Sequence, residues 1–216
     1  MQQALSRFRT PKASAPILYQ IVRTAGVFLL GLALGLLAKW LDTIPHDGSL
    51  KSLLLAQTGQ FLSRLGAWAF LALLIAVFSA GPLRASLNVL GFFAGMLLGY
   101  YWYTTVLFGF FPQRYAWAWI FIAAVASALA WLVWYARGVG WLPILVAALI
   151  IGFFMAQAFS FGMWYVDLRE FPELFLLFAA GAVLYREPKP FLYAVLGGVL
   201  LAPVWSVLFP YLLGGL

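Results

Sequence analysis

Cysteine is absent from this chain, and histidine occurs once, at His46. Without a thiol there is no disulfide, no thiolate zinc site, no iron–sulfur ligation and no cysteine nucleophile. One imidazole excludes every site that needs two, HExxH among them. Acids are also scarce. Six Asp and Glu stand against thirteen Lys and Arg, and charged residues are 9% of the 216 positions. Soluble domains are about 25% charged and about 45–50% apolar. This chain is 65% hydrophobic, with mean hydropathy +0.99. A soluble protein of this size could not hide so much apolar surface. The composition therefore defines an integral membrane protein. It excludes a disordered chain, a disulfide scaffold and a free-standing nucleic-acid-binding domain. The net charge of +7 is spread singly between apolar runs, where it sets orientation in the bilayer.

A hydrocarbon core of about 30 Å takes roughly 20 helical residues to cross. Seven stretches qualify as spans, at 18–41, 62–80, 85–111, 116–135, 142–163, 172–185 and 191–213. None alternates with period two, so a transmembrane barrel is excluded. The expected fold is an all-α polytopic bundle of seven spans. Six is the alternative, because 172–185 is short. Residues 1–216 read as one transmembrane domain, with a basic cytoplasmic tail at 1–16 and an outer loop carrying an amphipathic helix at 42–61. No signal-peptide cleavage pattern stands before the first span, and no internal repeat is evident.

With seven spans, one side receives Arg7, Arg9, Lys12, Arg23, Arg84, Arg137, Arg186 and Lys189. The other receives Lys39, Lys51, Arg64, Arg114 and Arg169. The first side is expected to be cytoplasmic, with the N-terminus on it. Five of the six acids, Asp42, Asp47, Asp167, Glu170 and Glu173, fall on the outer side. Lys39 and Arg23 near the ends of the first span read as snorkelling side chains. Glu173, just after Pro172, reads as a carboxylate favoured by a helix N-terminus. His46 with Asp42 and Asp47 matches no metal signature and reads as a solvated loop.

Glycines recur four apart at Gly31 and Gly35, and again at Gly91, Gly95 and Gly99. Such steps let another helix approach closely, within the chain or on a partner. The third span then runs Tyr100-Tyr101-Trp102-Tyr103-Thr104-Thr105. Interfacial aromatic belts use these residues, but four in succession surround the helix, so at least one must face the interior. Gln157 and Ser160 lie deep in the fifth expected span, where polar side chains bond to other helices or line a cavity. Gln57 and Arg64 stand on the outer segment as candidates for a rim. Asn88 near the cytoplasmic end reads as a cap or a cross-helix bond.

The run Arg84-Ala-Ser-Leu-Asn88-Val-Leu-Gly-Phe-Phe-Ala-Gly-Met96-Leu-Leu-Gly-Tyr100-Tyr101, followed by Phe108-Gly-Phe-Phe-Pro112, resembles an uncharacterised family of small multi-span membrane proteins from Gram-positive bacteria. Trp134-Tyr135-Ala136-Arg137-Gly138-Val-Gly140-Trp141 is similar to another part of it. The resemblance implies a bacterial cytoplasmic-membrane protein and supplies no catalytic residues.

There is no Walker P-loop, and no acid at the centre of a confident span, where proton relays place one. The sequence leans away from an enzyme and calls for no cofactor or metal. Two functions stay open. One is a transport-type protein, or the substrate-binding subunit of a larger transporter. It would bind a small neutral or cationic solute through Tyr100, Trp102 and Tyr103, with Gln57 and Arg64 at the rim and Gln157 and Ser160 deeper. The other is a non-transporting accessory, assembly or lipid-interacting protein. The expected partners are the bilayer and another membrane subunit or a second copy, docked through the glycine faces.

Overall fold

A computed structural model describes residues 5–11, 16–45, 47–162 and 164–208. The protein is 81% helical. Helices α1 (Ile17–Asp42), α2 (Leu50–Ser63), α3 (Leu65–Val77), α4 (Pro82–Phe108) and α5 (Gln113–Val133) are followed by a 3₁₀ turn, Trp134–Arg137. Then come α6 (Trp141–Ala158), a hairpin of β1 (Phe159–Phe161) and β2 (Val166–Leu168), α7 (Phe171–Leu184) and α8 (Pro188–Leu208).

Local chemistry sets most boundaries. Ser49 caps α2 by accepting the Ser52 N–H at 3.1 Å. Pro82 opens α4, where a missing N–H costs nothing. Gly109 closes α4 with φ 70°, a left-handed conformation that glycine adopts without strain.

Five helices are long and apolar enough to cross a membrane, six if α2 and α3 count as one bent span. The expected seven is therefore not reached by length. The stretch 172–185 forms only the 14-residue α7, about 21 Å long at 1.5 Å per residue. The stretch 62–80 is no single helix either. The chain turns by 65° at Arg64, which is extended at φ −91° and ψ 149°. The Leu62 carbonyl near that break accepts the Trp68 Nε1–H at 2.6 Å. The stretch 142–163 stops as a helix at Ala158, where the hairpin begins with Phe159 opposite Leu168.

Small residues decide how the helices pair. A Cβ on Gly31 would collide with the Phe92 carbonyl, one on Gly35 with that of Met96, one on Gly95 with Phe28 and one on Gly99 with Leu32. Gly91 faces Thr24. Rising numbers on α1 meet rising numbers on α4, so the two run parallel in backbone contact. Parallel α6 and α8 meet where Gly197 faces Ala148 and Gly198 faces Ile151 and Gly152. Between α3 and α7, Arg64 meets Glu173 and Gly66 meets Leu176, so these also run parallel.

The result is two three-helix units of the same orientation. The first holds α1, the bent α2–α3 pair and α4. The second holds α6, α7 and α8. A unit of three ends at the face opposite its start, so one more pass must return the chain before the second unit begins. Helix α5 makes that return. The five expected packing glycines all meet helices of this chain, so a partner would have to use another face.

Two cores fill the bundle. Trp68, Val89, Phe92, Phe93, Met96 and Trp134 form one. Leu73, Val77, Ile151, Phe154, Leu176 and Ala180 form the other. Helix α3 serves both and joins the units. At the end nearest the N-terminal segment, here the proximal end, polar groups tie the helices. The Thr24 hydroxyl donates to Asn88 Oδ1 at 2.7 Å, Asn88 Nδ2 donates to the Ser79 hydroxyl at 3.0 Å, and Trp134 Nε1 donates to the Ser79 carbonyl at 2.9 Å.

Candidate functional site

The other, distal end of the first unit contains a cavity of about 540 Å³, within the 300–1,000 Å³ typical of small-molecule sites. It follows from the packing. The glycine contacts hold α1 and α4 together as far as Gly99. One turn further on, Lys39 and Asp42 of α1 face Tyr100, Tyr101 and Thr104 of α4. These side chains are large, and the gap between the helices widens to take them. The break at Arg64 supplies a second wall through Leu62, Ser63 and Trp68, while Tyr115 and Trp119 of α5 supply a third.

The polar equipment is compact. Tyr100 Oη donates to Asp42 Oδ2 at 3.0 Å, and Lys39 Nζ lies 3.7 Å from the same oxygen. Lys39 also sits 5.2 Å from the Tyr100 ring centroid and 5.0 Å from that of Phe108. Two of the seven aromatic rings on the lining, Tyr100 and Phe108, therefore already hold a cation. One cation and one anion leave the cluster neutral. The remaining wall is mostly aromatic and aliphatic.

The expected site residues divide among three places. Tyr100 lines this cavity. Trp102 points outward and is 59% exposed, Tyr103 is half-buried off the cavity wall, and Gln57 is exposed on α2. Arg64 turns to the second unit, bonding Glu170 at 2.7 Å and Glu173 at 3.1 Å. Gln157 is buried in the last turn of α6, and Ser160 sits in β1 opposite Asp167. His46 lies outside the described residues. Among the described residues no group of three His, Asp or Glu could hold a metal.

Reading from sequence missed Lys39, Asp42, Trp68, Tyr115 and Trp119 as cavity residues. The available signal was the Lys39–Asp42 pair, three apart at a helix end. It becomes informative only once α1 and α4 are known to be parallel.

Glu173 was read as a helix-terminal carboxylate, and it does lie in the first turn of α7. It is also 1% exposed, and its Oε1 has no hydrogen-bond partner. Gln157 Nε2 is likewise buried and unpartnered. The Arg169 N–H bonds the Ala158 carbonyl at 2.8 Å, which puts the end of α6 level with the start of α7. The junction between the units is thus polar and closed by Arg64.

No family model matches the chain, and neither the curated proteins nor the solved structures give a match. Composition, fold and apolar helices define a multi-pass, all-helical membrane protein.

Proposed function

We propose that this is a transport-type protein of a bacterial cytoplasmic membrane that binds a small neutral solute in the distal cavity, alone or as the substrate-binding subunit of a larger transporter. The chain then crosses seven times, with α7 as a short, tilted pass and the proximal end cytoplasmic. Arg7, Arg9, Arg23, Arg84, Arg137, Arg186 and Lys189 gather at that proximal end, as cytoplasmic surfaces do.

The observation that carries the reading is the aromatic cavity with one self-neutralised Lys39–Asp42–Tyr100 cluster. It favours a neutral over a cationic solute, since Lys39 already occupies the Tyr100 and Phe108 rings and its charge opposes a second cation beside them. A ligand with one donor and one acceptor can address Asp42 and Lys39 together. Two equally oriented helix units joined through α3 are also an arrangement of transporters built from parallel repeats.

The test is thermal unfolding of the purified protein against a panel of neutral, cationic and anionic small molecules. Neutral apolar solutes with a polar handle should raise Tm in the native protein and fail to do so in Tyr100→Ala. Stabilisation by lipid alone, unaffected by Tyr100→Ala, would favour the accessory, lipid-interacting alternative.

A further inference from the structure

At the proximal end four arginines from four segments converge, and among the described residues no carboxylate pairs with them. Arg9 Nη2 donates to the Val77 carbonyl at 3.0 Å, Arg9 Nη1 donates to the Trp134 carbonyl, and the guanidinium lies 4.2 Å from the Trp134 ring centroid. Arg23 donates to the Phe78 carbonyl at 2.7 Å. Arg137 sits 5.3 Å from the Phe78 ring centroid, and Arg186 donates to the Arg137 carbonyl. All of them gather on two neighbouring places, the end of α3 and the 3₁₀ turn.

Helix C-termini attract cations through their free carbonyls, which accounts for the individual contacts. Carbonyls are dipoles, however, and leave the charge uncancelled. Among the described residues every ion pair lies at the distal end. Glu187, beside Arg186, is exposed and joins none of them. Burial, then Arg137, then Arg186 push the Arg9 pKa down from 12.5 to about 10. A topological signal needs positive charge near this surface; it does not need guanidinium groups packed together. Each guanidinium carries five N–H donors in a fork that fits phosphate, and the bonds above use at most two of them.

The surroundings are those of a bilayer interface. Val139, Trp141 and Tyr185 beside the cluster are 70%, 63% and 48% exposed, and Trp and Tyr favour headgroup depth. A shallow recess of about 70 Å³ is lined mostly by apolar residues, Val139, Pro143, Leu184 and Phe191 among them, with Arg186 and the exposed Glu187 also on its wall.

We propose that Arg9, Arg137 and Arg186, with Arg23 beside them, form a headgroup site for an anionic phospholipid of the adjoining leaflet. The guanidinium groups take the phosphate, and the apolar recess takes the start of an acyl chain. Basic pockets between membrane helices bind anionic headgroups in this way. The site is independent of the distal cavity and of its ligand.

The test compares thermal unfolding in neutral detergent with added phosphatidylglycerol, phosphatidylcholine or sodium phosphate. Phosphatidylglycerol should raise Tm by several degrees more than phosphatidylcholine at equal mole ratio. Arg186→Gln and Arg137→Gln should each remove at least half of that difference. Arg114→Gln, exposed at the distal end, should leave it whole. Because Arg186 is exposed on a loop, Arg186→Gln carries the test even if Arg137→Gln fails to fold. Equal shifts from the two lipids would overturn the proposal. So would an equal loss in Arg114→Gln, which would reduce the effect to net charge. Full stabilisation by sodium phosphate alone would replace the lipid with a free anion and overturn the assignment.

Discussion

The two three-helix units solve the same packing problem with different tightness. In the first, Cβ atoms on Gly31, Gly35, Gly95 and Gly99 would strike backbone carbonyls of the facing helix. In the second, a Cβ on Gly198 would come 2.7 Å from Ile151 Cγ2, and one on Gly197 2.9 Å from Ala148 Cβ. The nearest of these is the end of a flexible side chain, and the backbone there stands further off, with a Cβ on Gly152 3.0 Å from the Gly198 carbonyl oxygen. The distal ends differ in the opposite sense. The second unit is filled there by Phe153 against Trp205, with ring centroids 5.7 Å apart. The first is hollow. Close approach at glycine followed by a turn of large side chains opens space. The unit with the tightest seam is thus the one that carries the distal cavity.

The largest effect expected from breaking this contrast is at the seam. Gly95→Leu should cost about 3 kcal/mol, the top of the usual range for overpacking, because the clash is with backbone. In the second unit, Gly181→Ala on α7, away from the α6–α8 seam, meets only Phe191 Cζ at 3.6 Å. That change should be neutral or stabilising by up to about 1 kcal/mol through helix propensity. Unfolding in detergent measures both, and equal losses would erase the contrast.

The junction between the units comes next. Arg64→Ala leaves Glu173 buried without its cation. The cost should be about 2 kcal/mol, below the 3–5 kcal/mol of fully buried pairs because Arg64 is partly solvated. Adding Glu173→Gln should recover part of it in a double-mutant cycle. A neutral Arg64→Ala would mean that the pair does not hold the units together.

A smaller effect belongs to the cavity. Tyr100→Phe removes the hydroxyl bonded to Asp42 and should cost about 1 kcal/mol. Trp102→Ala, on the outward face of the same helix, should leave ligand-induced stabilisation unchanged.

The smallest effect is local to the start of α2. Bonds from the Ser49 and Ser52 hydroxyls and the Ser49 N–H lower the Asp47 pKa from 3.8 to about 2. A depressed carboxylate stabilises above its unfolded pKa and loses that contribution as pH falls through the folded one. The protection factor of the Ser49 amide, its exchange corrected for the intrinsic rate at each pH, should therefore fall as pH drops from about 4 to 2, with no matching change in the second unit.

Most of the helices were legible in the sequence because apolar length alone specifies them. So were the glycine steps, whose spacing encodes close approach. The break at Arg64 was not legible, since its ion-pair partner Glu173 is 109 residues away. The shortness of α7 was legible in the length of 172–185, but the hairpin after Ala158 was hidden by continuous hydropathy. The cavity was half legible. The aromatic run around Tyr100 marked one wall. The other walls depend on α1 lying parallel to α4, and composition does not report helix direction. Glu173 looks like a routine helix-start carboxylate in the sequence because the contacts with Arg64 and Gly66 at the start of α3 come from a segment remote in the chain.

The central claim is that the first unit holds a cavity open to the outer face, and the natural absence of cysteine allows a direct test. Thr104 is 3% exposed yet lines the cavity, while Ser127 in α5 is buried away from it. In intact cells, a small membrane-impermeant methanethiosulfonate should modify Thr104→Cys and spare Ser127→Cys. Modification of Thr104→Cys only after permeabilisation would place the cavity on the opposite face. No modification in either condition would mean that it is closed, and either result would contradict the account.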